Sequence, residues 1–105
     1  MKKDNLKIKI NGDGNQIRDE LHINDLVNVI YKIGFKLKKQ NYILNVCSGK
    51  GTKIIDIVNK IGAKFKLTYK KVNEPKVVIG SNKKLSKLIN WKPKISVDKG
   101  IKSLL

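Results

Sequence analysis

A chain of 105 residues has room for one domain, taken as residues 1–105, whose fold hides only about 60–70% of the surface of its unfolded chain. A single cysteine, Cys47, excludes an internal disulfide framework and sets a reducing, cytoplasmic location as the expectation; no run nears 18 apolar residues and no apolar segment follows the charged start, which excludes a membrane helix and a signal peptide. The net charge of +16 rests on 24 basic residues of which only Arg18 is not lysine, so nucleic acid, whose recognition draws on arginine's flat fork, is a weak partner expectation.

In chain order, Leu6, Ile8 and Ile10 alternate as a half-buried strand. The NGDGN run over 11–15 is a turn, and with the less regular alternation of Ile17, Asp19, Leu21 and Ile23 it predicts a β-hairpin. Asn24 is the expected N-cap of a helix carrying Leu26, Val27, Ile30, Ile33 and Leu37, which Gly34 could end early. A strand over 42–46 and a loop over 48–51 follow. Thr52 is the expected cap of a helix with Ile54, Ile55, Ile57, Val58 and Ile61 inward, stopped by Gly62. Phe65, Leu67 and Tyr69 alternate as a strand, and 77–79 is a brief one. Ser81 opens a short helix with Leu85, Leu88 and Ile89; Trp91 anchors the core beneath a turn at Pro93; Ser96 caps a last helix with Ile101, Leu104 and Leu105. Strands alternating with helices give an α/β class, a small mixed sheet with flanking helices.

Few residues carry chemistry. One His and one Cys at unrelated spacing make no metal cluster. Gly12 and Gly14 lie between two strand-like runs, which is not the strand–GxGxxG–helix of a dinucleotide loop. Ser48-Gly-Lys-Gly-Thr52 lacks the first glycine of a Walker A loop, although the helix start behind it could attract an anion. His22, Cys47 and Trp91 read as packed or surface residues. Arg18 stands out: in a chain whose other cations are lysines, it points to geometry that lysine cannot supply, either two parallel donors for a carboxylate or diphosphate, or an ion pair with neighbouring Asp19 or Glu20.

In order and spacing, Gly12-Asp-Gly-Asn-Gln16-Ile-Arg18-Asp19-Glu-Leu-His22-Ile-Asn-Asp25, then Asn45-Val-Cys-Ser48-Gly49, then Leu85-Ser-Lys-Leu-Ile-Asn-Trp91-Lys-Pro93 with Gly100-Ile101 resemble the extended short-chain dehydrogenase/reductase family of sugar-nucleotide epimerases, dehydratases and reductases. The segments 45–51 and 79–85 are most similar to GDP-4-dehydro-6-deoxymannose reductases, 12–14 to UDP-glucose 4-epimerases, and 18–22 to CDP-sugar 2-epimerases. The resemblance implies that the chain is the C-terminal, substrate-side part of such an enzyme, with a nucleotide-diphosphate sugar as ligand. It implies that Arg18 contacts the diphosphate, and that Lys71, at the place of a second family arginine, keeps the charge but not the fork. The family's GxxGxxG fingerprint and catalytic YxxxK do not occur in these 105 residues. NAD(P) is therefore expected in the full-length family enzyme and no cofactor in this chain, which is expected to be inactive alone. The helix over 24–37 is expected to expose an apolar patch that the Rossmann half covers in the family. A separate Rossmann-domain chain or a homo-oligomer then becomes the expected partner. A basic nucleic-acid-binding module and a folded gene remnant are the alternative readings.

Overall fold

The computed structural model describes residues 7–37 and 41–105; Leu6 lies outside them. The elements are β1 (Lys7–Ile10), β2 (Ile17–Asp19), α1 (Ile23–Lys36), β3 (Gly51–Lys53), α2 (Ile54–Ile61), β4 (Lys64–Leu67), α3 (Lys83–Ile89) and α4 (Val97–Leu104). The class is the small mixed α/β expected.

The strands form two separate pairs. β1 runs parallel to β4, with Ile8 opposite Phe65 and Ile10 opposite Leu67. β2 runs antiparallel to β3, with Arg18 opposite Thr52, and Ile17 makes a further parallel bridge to Val77. The hairpin expected at residues 11–15 is therefore overturned, because β1 and β2 belong to different sheets. The glycine-rich turn does another job: the carbonyls of Gly14 and Gln16 accept from the N–H groups of Ile55 (2.9 Å) and Ile54 (3.0 Å). These are two of the donors that a helix start leaves without an intrahelical partner. Gly14 suits this place, since its φ of +78° favours glycine and a Cβ there would lie 2.9 Å from the Ile55 Cβ.

Other boundaries shift for similar reasons. His22 rather than Asn24 caps α1, its Nδ1 accepting from Asn24 N at 3.1 Å. The helix passes through Gly34 to Lys36. Thr52 lies in β3, and α2 has Lys53 at its N-cap with no side-chain bond; the carbonyls above do the capping. Asn82 precedes α3 in place of Ser81. Gly62, left-handed, ends α2, and Ser96 caps α4 through Lys99 N as expected. Residues 42–46 form no ladder and are not a strand, although Leu44 and Val46 still pack inward.

Two small cores result. Val29, Leu85, Ile89 and Trp91 are buried between α1, α3 and the segment behind it, with Ile33, Leu37 and Leu44 around them. Ile10, Val58 and Ala63 are buried between the β1–β4 pair and α2. Asp25, 3% exposed, ties α1 to the segment before α4: its carboxylate accepts from the N–H groups of Lys94 (3.1 Å) and Ile95 (3.0 Å). The radius of gyration is 16.5 Å and the extents are 49 × 31 × 16 Å, against about 13 Å for a compact 100-residue domain. The fold is a slab about two layers thick, and a slab cannot bury both of its faces.

Candidate functional site

Arg18 sits in the middle of β2, and its guanidinium reaches across to the segment that leads into the Ile17–Val77 bridge. Nη1 donates to the carbonyls of Ile17 (2.8 Å) and Lys76 (3.3 Å), and Nη2 donates to the carbonyl of Pro75 at 2.9 Å. Glu74 Oε1 lies 3.4 Å from Nη2. The counter-charge is thus Glu74, not Asp19 or Glu20, the neighbours that local sequence offers. Three carbonyls fix the plane of the guanidinium, while the Glu74 side chain is 46% exposed and free to swing.

The guanidinium lines a concavity of about 320 Å³ with Ile8, Asn11, Gln16, Ile54 and Glu74. Lys9 lies at the same concavity, and Lys70 and Lys76 line a neighbouring one that shares Gln16 and Glu74. Lys71, the second residue implied for a diphosphate, is exposed on the same loop, three positions before Glu74. It is not among the partners of Arg18 and lines neither concavity. The basic environment of Arg18 comes instead from Lys9, Lys70 and Lys76.

Behind Arg18 stands a group that sequence spacing could not reveal. The Asp19 carboxylate accepts from Ser48 N (2.8 Å) and Ser48 Oγ (2.5 Å) through Oδ1, and from Gly49 N (2.8 Å) and Gly80 N (3.1 Å) through Oδ2. Burial by itself pushes this carboxyl up, but the Ser48 hydroxyl and the Ser48, Gly49 and Gly80 N–H groups outweigh it and hold Asp19 below the ordinary carboxylate range. The arrangement locks β2, the 48–49 loop and the 79–80 segment to one another, and so fixes the strand that carries Arg18. Gly80 is packed against the same knot, where a Cβ would lie 2.6 Å from Cys47 Sγ. Burial, followed by the Asp19 charge, raises the Cys47 thiol above its usual value, which makes it a poor nucleophile.

At the helix start behind the 48–52 loop, the first two N–H groups, those of Ile54 and Ile55, already donate to the Gln16 and Gly14 carbonyls, which leaves fewer donors for an anion. Among the described residues no group of three metal-ligating side chains exists, and no helix is long and apolar enough to cross a membrane.

No protein-family model matches the chain. Its sequence is 37% identical over 103 residues to a UDP-glucuronate 4-epimerase of Thermodesulfobacterium geofontis, covering 90% of this chain and 31% of that protein. It is 33% identical over 99 residues to a putative UDP-glucose 4-epimerase of Methanocaldococcus jannaschii, covering 90% and 32%. The UDP-glucuronic acid 4-epimerase of Bacillus cereus, solved with UDP-glucuronic acid and NAD, superposes with a TM-score of 0.74 at 25% identity, over 90% of this chain and 32% of that one. The chain spans about a third of the length of the curated relatives it matches. By sequence and by fold the chain is similar to the C-terminal part of nucleotide-sugar epimerases and dehydratases of the extended short-chain dehydrogenase/reductase family.

Proposed function

We propose that this chain binds the diphosphate of a nucleotide sugar at Arg18 and performs no redox chemistry by itself. One observation carries the reading. The sole arginine of a lysine-rich chain is oriented by three backbone carbonyls at the wall of a basic concavity, and among the described residues the carboxylate paired with it is that of a half-exposed glutamate, Glu74. A diphosphate arriving there replaces Glu74 as the counter-ion, and the prepaid orientation of the guanidinium favours a two-point grip. Lys9, Lys70 and Lys76, and more remotely Lys71, add long-range attraction without directional bonding.

The nicotinamide cofactor belongs, in this reading, to the two-thirds of the family protein that this chain does not match. These 105 residues contain no YxxxK, and the role this reading gives the chain is to hold and orient the nucleotide portion of a substrate. UDP is the first nucleotide to try, because the two relatives above are a UDP-glucuronate 4-epimerase and a putative UDP-glucose 4-epimerase; GDP and CDP sugars are the comparison.

Calorimetric titration tests the proposal. UDP and UDP-glucuronic acid are expected to bind, and Arg18→Lys to weaken binding at least tenfold with the fold intact by circular dichroism. Glu74→Gln is expected to tighten binding by removing the competing carboxylate, while Lys71→Ala weakens it only a few-fold. Equal affinity in the parent and Arg18→Lys, or a loss of affinity in Glu74→Gln, would show the diphosphate to lie elsewhere.

A further inference from the structure

The backbone is strained at one bulky side chain. Among the described residues φ is positive at four glycines, at Asn90 and at Tyr69, where it is +51°. Glycine adopts this conformation freely and asparagine tolerates it, but for an aromatic residue it is an outlier. The strain undoes the alternation of Phe65, Leu67 and Tyr69 that the sequence suggests. Leu67 packs against the Ile10–Val58 core, and in a continued strand Tyr69, two residues on, would point the same way. Instead β4 ends at Leu67, the Tyr69 N–H donates to the Gly12 carbonyl at 3.3 Å, and the side chain is 73% exposed. Tyr31 and Phe35, by contrast, sit in the regular backbone of α1 on its exposed apolar side, with ring centroids 4.7 Å apart. Tyr69 buries too little to offset its backbone cost, and strain of this kind collects where a ligand is held.

We propose that Tyr69 stacks on the base of the nucleotide whose diphosphate Arg18 holds. The proposal rests on the reading of Arg18 given above and adds a second point of attachment to it. Tyr69 lines a concavity of about 330 Å³ that adjoins the Arg18 concavity, the two sharing Gln16 and Glu74. Val72 gives it an apolar wall, set so close to Gly12 that a Cβ there would lie 2.8 Å from Val72 Cγ2. Charge divides the two spaces. Arg18 and Lys9 outnumber Glu74 in the first, which suits phosphate, whereas in the second Lys70 and Lys76 are balanced by Asp13 and Glu74, which suits an uncharged ring. A nucleoside diphosphate has the same order of parts, its base one ribose away from its phosphates. A tyrosine ring has only two side-chain torsions to fix, so it offers a flat contact at small entropic cost. Every base has a π face, so the ring adds affinity for uridine, cytidine and guanosine diphosphates alike without choosing between them.

Calorimetric titration with UDP and with inorganic pyrophosphate separates the two contacts. Pyrophosphate has no base, so its affinity should fall in Arg18→Lys and stay unchanged in Tyr69→Ala. UDP affinity should fall in both, by about fivefold or more in Tyr69→Ala, and should be restored in Tyr69→Phe. Tyr69→Gly removes the ring and relieves the backbone together. It should bind UDP as weakly as Tyr69→Ala while unfolding at a urea concentration no lower than the parent, a combination that a merely structural tyrosine would not give. UDP affinity unchanged in Tyr69→Ala, with Arg18→Lys still impaired for both ligands, overturns the stacking and leaves the diphosphate site standing. Binding of neither ligand, or binding of both that ignores Arg18→Lys, overturns the two readings together. Equal losses for UDP and pyrophosphate in Tyr69→Ala, or a lowered urea midpoint in Tyr69→Gly, would show the ring to be part of the wall and not a platform for the base.

Discussion

Removing the Asp19 carboxylate should cost the chain a large fraction of its stability while leaving it folded. Asp19→Ala deletes the acceptor for four hydrogen bonds, three of them from backbone N–H groups of Ser48, Gly49 and Gly80. A hydrogen bond to a charged acceptor contributes about 1.5–3 kcal/mol, and an orphaned donor costs about 1–3 kcal/mol. Simple addition overstates the loss, because the bonds act as one knot and water can reach part of it. We therefore expect about 3 kcal/mol, set against a total stability of about 5–10 kcal/mol for a domain of this length. In urea the midpoint should fall with little change in slope, and the thermal midpoint should drop by about 12–24 °C. Asp19→Asn, which keeps the shape but has one oxygen left to accept, should lie between parent and alanine variant. A midpoint within about 0.5 kcal/mol of the parent, the scatter of an ordinary surface substitution, would refute the view that this carboxylate holds three segments together.

Acid should act through the same group. The Asp19 carboxyl is held below its ordinary value, so its stabilisation is complete above the unfolded value of about 3.9 and is lost as pH falls through the lower folded value; unfolding followed from pH 6 to pH 2 should show this loss, and Asp19→Asn should flatten it. Gly80→Ala places a Cβ 2.6 Å from Cys47 Sγ and is expected to cost about 1–3 kcal/mol by overpacking, with partial recovery in Gly80→Ala/Cys47→Ala measured as a double-mutant cycle in urea. Ser96→Ala removes the side-chain cap of α4, whose Oγ accepts from Lys99 N at 3.2 Å, and should cost about 1 kcal/mol in the same assay.

What could be read from the sequence divides along a physical line. Local signals survived: the apolar period of α1 and α2, the left-handed stop at Gly62, the Ser96 cap, and Trp91 as a core anchor, now 1% exposed. Arg18 was legible because it is chemically exceptional in its chain. Contacts between distant segments were not. Nothing near Arg18 announces Glu74, and nothing in the order Asp19, Ser48, Gly80 says that one carboxylate collects all three. The NGDGN run misled because turn chemistry specifies a reversal but not which partner its carbonyls will serve; here they serve a helix that begins about forty residues later. Residues 42–46 misled because alternation reports which side chains face inward, as Leu44 and Val46 do, and says nothing of whether a neighbouring strand is there to pair.

The two cores show why so thin a piece can hold a geometry at all. Neither cluster has more than four fully buried residues, too few for hydrophobic burial alone to specify the chain path. The path is fixed instead by two carboxylates that collect backbone donors from remote segments: Asp25 takes Lys94 and Ile95, and Asp19 takes Ser48, Gly49 and Gly80. Such bonds are directional, and a buried donor left without its acceptor is costly, so alternative pairings are penalised in a way that sliding aliphatic contacts are not. Asp19 lies next to Arg18 in the same three-residue strand, and its knot extends to the 79–80 segment that follows the Glu74–Lys76 wall. A change at Asp19 should therefore displace the guanidinium and its counter-ion together. A destabilised Asp19→Asn chain, still folded at low temperature, should bind UDP more weakly than the parent; unchanged affinity would mean that the carbonyls of Ile17, Pro75 and Lys76 orient Arg18 without help from the knot behind it.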